Sequence, residues 1–148
     1  MDPTVAPDWG MDWAWGLLLI VLTVVFHAYC LGHLSKEVSS KLSDLRRIQH
    51  FSFVSIFVIG GTALSTTILR AFEGLLWAGT YRLVGALPNT KSAILYSLNA
   101  MTSYGHANLY LASRWQMLGA LEALSGWILF GLTTAFLFSV IQKAWSHT

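Results

Sequence analysis

Charge is scarce in this chain. Only 11% of its 148 residues are Asp, Glu, Lys or Arg, less than half of the roughly 25% usual in soluble domains. Hydrophobic residues make up 55% and aromatics 14%, so a soluble monomer is nearly excluded. Nine Lys and Arg against seven Asp and Glu leave a net charge of +2. That charge is too slight and too scattered to form an electrostatic footprint for nucleic acid. The single cysteine, Cys30, cannot form an internal disulfide, and no Cys-x-x-Cys pair is available for structural zinc or thioredoxin-like chemistry. The segment from Met1 to Asp12 has three aspartates and no Lys or Arg. This is the wrong charge for the start of a secretory signal peptide, so the first apolar segment is expected to be retained. There is also no Ser/His/Asp set, no pair of carboxylates and no phosphate-cradling glycine loop, so the protein is not expected to be an enzyme.

What the chain has is long uncharged runs. About 20 apolar residues cross a ~30 Å hydrocarbon core. Trp13 to His33 meets that length without an Asp, Glu, Lys or Arg, with Trp9, Trp13 and Trp15 clustered at its start. Amphipathic indoles favour the headgroup level there. Lys36 to His50 is too charged for lipid and is expected to be an aqueous connector with some helical content. A second span starts at Phe51 and is charge-free to Leu69; the helix is expected to continue past the membrane surface to Arg82, with Arg70 and Glu73 spaced to pair at i, i+3. A third runs from Trp115 to Ala144 with only Glu122 and Lys143 as charges.

Between the second and third spans, Ser92 to Ser113 has no charge, yet Ser, Thr, Asn and His recur through it. It is too polar to face lipid. Its first part, Lys91 to Met101, can form about three helical turns, which reach only half-way across a bilayer. A half-length helix followed by Thr102 to Asn108 describes a re-entrant loop. Irregular backbone is tolerated at that depth only inside protein or beside a water-filled cavity. The expectation is an all-α membrane protein of three transmembrane helices and a re-entrant hairpin. Placing the connector and C-terminus in the cytoplasm puts Lys36, Lys41, Arg46, Arg47 and Lys143 inside, against Arg70, Arg82, Lys91 and Arg114 outside. With the acidic N-terminus outside, this fits the positive-inside rule and a cell (inner) membrane location.

The hairpin resembles the pore module of potassium channels, whose filter signature is Thr-Thr-Val-Gly-Tyr-Gly-Asp. Thr102, Ser103, Tyr104, Gly105, His106, Ala107 and Asn108 align with those seven positions without a gap. Leu109-Tyr110 repeats a dipeptide found after some bacterial filters, and Trp115 falls where their inner helix begins. Leu118 to Gly126 and Phe130 to Ala135 are similar to that inner helix. The likeness covers roughly Phe51 to Ala144; the first span has no counterpart in a two-helix pore. The resemblance implies a homotetramer and an ion-conduction filter at Thr102–Asn108, with no cofactor beyond a permeant potassium or sodium ion. It also implies three regions: an extracellular segment 1–12; an extra transmembrane helix with cytoplasmic connector, 13–50; and a pore domain 51–148. The pore domain would comprise an outer helix 51–82, a pore helix 91–101, the filter 102–108 and an inner helix 115–144.

In that family backbone carbonyls replace the hydration shell of the ion, so a side chain matters mainly through the backbone it permits. Ala107 stands at a glycine position that resembles a left-handed requirement, where a non-glycine residue costs roughly 1–2 kcal/mol. His106 and Tyr104 replace a buttressing tyrosine and a smaller valine. Asn108 removes a negative charge from the outer mouth. These changes leave the preference for potassium over sodium open. His106, with an unperturbed pKa of ~6.5, is either a neutral residue packed behind the loop or a group that makes the pore respond to acid.

Glu122 lies about two helical turns inside the third span, where a carboxylate is expensive enough to be a functional candidate. It is either a cation-attracting ring in the pore or a structural partner of the pore helix or Arg70. Gly119, Ala123, Gly126 and Gly131 let helices approach or bend. Gly126 or Gly131 is a candidate gate hinge, and Thr133 or Thr134 a candidate cavity hydroxyl. Gly60-Gly61 reads as close helix packing. His27, Cys30 and His33 spread over about 120° of one helix, too far for a single metal ion to take all three. Two other functions remain in view: a non-conducting regulatory or assembly subunit of the channel family, and a haem- or quinone-linked redox protein using His27, His33 and His50.

Overall fold

In the computed structural model, residues 10–45, 51–105 and 109–145 are described. They form four α-helices: α1, Gly10–Leu45; α2, Phe51–Leu83; α3, Thr90–Thr102; and α4, Gln116–Trp145, which is entered through a single 3-10 turn at Ser113–Trp115. The protein is all-helical, and three stretches, Gly10–Ser43, Ser55–Leu83 and Ser113–Trp145, are long and apolar enough to cross a membrane. Only 28%, 17% and 22% of their most apolar windows are buried within the chain. A soluble monomer rarely leaves apolar surface uncovered on that scale.

α1 continues through the charged stretch as far as Leu45. Charge keeps Lys36, Glu37 and Lys41 out of lipid but does not oppose helix, because all three are good helix formers. α2 carries many hydroxyl residues through an apolar span by returning them to its own backbone. Thr62 Oγ1 donates to Val58 O, Ser65 Oγ to Gly61 O, and Thr66 and Thr67 both to Ala63 O. Each hydroxyl is thereby satisfied without water.

The turns around α3 have local causes. α2 closes with Gly85 at φ +70°, and Ala86 N–H donates back to Tyr81 O at 2.9 Å, a glycine-terminated helix end. Arg82 Nη1 donates to Leu87 O, and Ala112 N–H donates to Ala86 O, which ties the segments on either side of α3 together. Asn89 caps α3 by accepting Ser92 N–H on Oδ1 at 2.7 Å.

The chain packs as two units. The first comprises the described residues up to Val24 together with Ala71–Ile128. Its core is aromatic: Trp77, Tyr81, Tyr96 and Trp115 pack with Ala93, Leu118 and Leu121, and Leu19 and Ile20 of α1 lie against them. Tyr81 and Tyr96 meet edge to face at 5.3 Å. The second unit comprises Val25–Arg70 and the described residues from Leu129 onward. Its buried cluster is small and aliphatic, made of Val38 and Leu42 of α1 with Val140 and Ala144 of α4.

Candidate functional site

α3 is only 13 residues long, about 20 Å at 1.5 Å per residue. Three contacts fix it within the first unit. Ser97, fully buried, places Oγ 2.8 Å from Gly74 O of α2 and also in hydrogen-bond contact with Glu122 Oε1 of α4. Tyr96 lies against Gly119 of α4, where any Cβ would collide with its hydroxyl. At the last turn, Met101 backbone atoms approach Gly126 so closely that an added Cβ would sit 2.7 Å from Met101 O and 2.9 Å from its Cα. Gly126 is therefore the seat of α3 on α4. Gly131, the other hinge candidate, has nothing within 4 Å of an added Cβ.

α3 ends in a turn that requires left-handed backbone. Ser103 has φ +55°; its N–H donates to Ala100 O, and Tyr104 N–H donates to Asn99 O at 3.1 Å. This is the paired closure of a helix C-terminus, here built on serine instead of the usual glycine. Gly105 follows at φ +100°, a conformation that glycine adopts without a Cβ clash. The Thr102 hydroxyl donates to Leu98 O at 2.7 Å. Thr102, Ser103, Tyr104 and Gly105 are all exposed, Tyr104 to 84%. His106, Ala107 and Asn108 lie outside the described residues, so the readings attached to them have no structural counterpart. Beyond them Leu111 and Trp115 return to the core.

Glu122 is 0% exposed. Tyr81 Oη donates to its Oε2 at 2.5 Å, and Ser97 Oγ contacts its Oε1. The carboxyl thus joins α2, α3 and α4. Of the two roles open for it, the hydrogen-bonding one has its partners in place. Glu73 of α2 is equally buried.

Composition did not reveal the role of Asp12. Only 1% exposed, it accepts Leu118 N–H on Oδ2 at 3.2 Å, so the first turn of α1 supplies a cap to the start of α4. Gly16, one turn further along α1, lets Leu121 approach within 2.3 Å of where a Cβ would stand. The sequence offered one signal: an aspartate at the edge of an apolar run. Which N–H groups it meets depends on a contact across 106 residues.

The remaining candidates lie in the second unit. His27 is buried with Nε2 2.9 Å from Thr133 Oγ1, and the Thr133 hydroxyl also reaches Leu129 O. Thr134 is exposed and donates to Phe130 O. His33 meets the Tyr29 hydroxyl at 3.1 Å, and His50 is outside the described residues. His27, Cys30 and His33 are not gathered: among the described residues no three His, Cys, Asp or Glu side chains converge as a metal site. Gly60 and Gly61 are both exposed, and among the described residues no side chain and no other helix comes within 4 Å of an added Cβ on either. They mediate no helix packing among the described residues. No protein-family model, no curated protein and no solved structure matches this chain.

Proposed function

We propose that the chain is one subunit of a passive cation channel of potassium-channel type, with four copies placing the loop after α3 around a common axis. The observation that carries this reading is α3 itself: a helix too short to span a bilayer, held against both α2 and α4, that ends in an exposed turn with positive φ at Ser103 and Gly105. A lone chain would leave that turn and its backbone groups uncovered at membrane depth, which lipid penalises by several kcal/mol per unpaired group. Four chains around a water-filled axis remove the penalty. The C-terminal end of α3 also carries the partial negative charge of a helix terminus, which favours a cation nearby.

On this reading Thr102 to Asn108 form the conduction path and α4 lines the cavity beyond it, with Thr134 presenting a hydroxyl. The N-terminus lies outside and the C-terminus in the cytoplasm of the cell membrane. Potassium is the first permeant ion to test and sodium the second.

The test is flux through liposomes containing the purified full chain, with potassium, sodium and a chloride control. Uptake of either cation above protein-free liposomes, with no chloride movement, is the expected result. A four-chain assembly that moves no ion would sink the conduction claim and favour the regulatory-subunit reading. A visible Soret band would instead favour the haem reading.

A further inference from the structure

The contacts around Glu122 involve more hydrogen bonds than two hydroxyls can supply. Ser97 has one hydroxyl hydrogen, yet its Oγ lies within bonding distance of Gly74 O, at 2.8 Å, and of Glu122 Oε1. The Tyr81 hydroxyl supplies one more hydrogen, to Glu122 Oε2 at 2.5 Å. Three oxygen–oxygen contacts therefore share two hydroxyl hydrogens. Were Glu122 ionised, it would accept from both hydroxyls, and Ser97 Oγ would face Gly74 O with no hydrogen between two lone-pair-bearing atoms. A carboxylic acid supplies the missing hydrogen. Glu122 Oε1–H then donates to Ser97, Ser97 donates to Gly74 O, and Tyr81 donates to Oε2.

Burial favours the same state. Glu122, Ser97 and Tyr81 are each 0% exposed, and removing an ionised carboxylate from water costs far more than removing a neutral acid. The resulting chain of donors runs from α4 through α3 to α2, and each link has one direction.

We propose that Glu122 is held as a neutral carboxylic acid whose proton is donated to Ser97, making it the positioning residue that fixes α3, and the loop α3 carries, between α2 and α4. The positioning role in conduction rests on the channel reading; the protonation does not. Glutamine reproduces the arrangement, because its amide N–H can replace the acid proton toward Ser97 while its carbonyl still accepts from Tyr81. Alanine leaves the buried Tyr81 hydroxyl without its Glu122 acceptor and removes the link from Ser97 to α4.

Two measurements on the full-length protein in liposomes test this. Infrared spectroscopy at neutral pH should show a carbonyl-stretch component of a protonated carboxylic acid, shifted by deuterium exchange, that Glu122→Gln removes and Ser97→Ala shifts. In the flux assay Glu122→Gln should stay within about twofold of the parent, whereas Glu122→Ala should lose about tenfold or fail to assemble. The absence of an acid band lost in Glu122→Gln would overturn the proposal, as would a glutamine variant as damaged as the alanine one. A parent that moves no ion would count against the channel reading alone, and the infrared comparison would still decide the protonation.

Discussion

Glycines form tight joints in only one of the two units. In the first, Gly16, Gly119 and Gly126 stand where Leu121, Tyr96 and the Met101 backbone press within 3 Å of a would-be Cβ. In the second, Gly32, Gly60, Gly61 and Gly131 have nothing within 4 Å. Gly79 of α2 in the first unit is open as well, so the presence of fitted joints, and not of open glycines, sets the two regions apart. The buried polar groups divide in a similar way. The first unit encloses Asp12, Glu73, Ser97 and Glu122, whereas the buried hydroxyls of α2 in the second, Thr62 and Thr66, turn back on their own helix. Directional contacts join α2, α3 and α4 around Glu122 in the first unit, whereas in the second they pair α1 with α4 through His27 and Thr133.

The largest effect should come from filling the tightest joint. Gly126→Ala puts a methyl against the backbone of α3, which cannot swing aside as a side-chain tip would. It should destabilise the chain by about 1–3 kcal/mol, the usual range for overpacking, and on the proposed channel reading it should reduce cation flux because the end of α3 moves with it. Thermal unfolding in detergent, paired with liposome flux, measures both. A Gly126→Ala protein as stable and as active as the parent would mean that α3 does not seat on α4 there.

A smaller loss is expected at Asp12. Removing its carboxylate frees Leu118 N–H at the start of α4, and loss of such a cap typically costs about 1 kcal/mol and up to ~2. Asp12→Ala should show that loss in the same unfolding assay. Asp12→Asn should retain most of the stability, since the amide oxygen still accepts from Leu118. Equal losses in both variants would mean that charge, and not the accepted hydrogen bond, makes Asp12 matter. Either loss would also tie α1, which a two-helix pore lacks, to the unit that holds α3.

How much of this was legible in advance follows from what each signal depends on. The three long helices could be read because an uncharged run of sufficient length has few alternatives. α3 was legible for the opposite reason: its serines and asparagines forbid a lipid-facing span, and its length forbids a crossing. Glu122 stood out as a carboxylate in an apolar block, but its partners did not, since Tyr81 and Ser97 are 41 and 25 residues away in sequence. Charge alone could not place the end of α1, because Lys36 to Leu45 is unsuited to lipid and well suited to helix. The Gly60-Gly61 pair finds no close neighbour among the described residues, because composition reports only that a close approach is permitted, and the rotation of α2 about its axis decides whether a partner is there.

That rotation sets the smallest effect. Alanine is up to about 1 kcal/mol better than glycine inside a helix, and at Gly60, Gly61 and Gly131 nothing among the described residues opposes the added methyl. Each alanine variant should therefore be neutral or slightly more stable in unfolding of the isolated chain. Exposed Ile56, Phe57, Leu64 and Phe130 on α2 and α4 make lipid a sufficient neighbour for these stretches. The informative measurement is the mass of the assembly in mild detergent for each variant. If Gly131→Ala keeps the chain stable but lowers the mass of the assembly, α4 meets another copy at that position. If all three variants assemble like the parent, the glycines face lipid, and the contrast between fitted and open surfaces holds in the assembly as it does in the single chain.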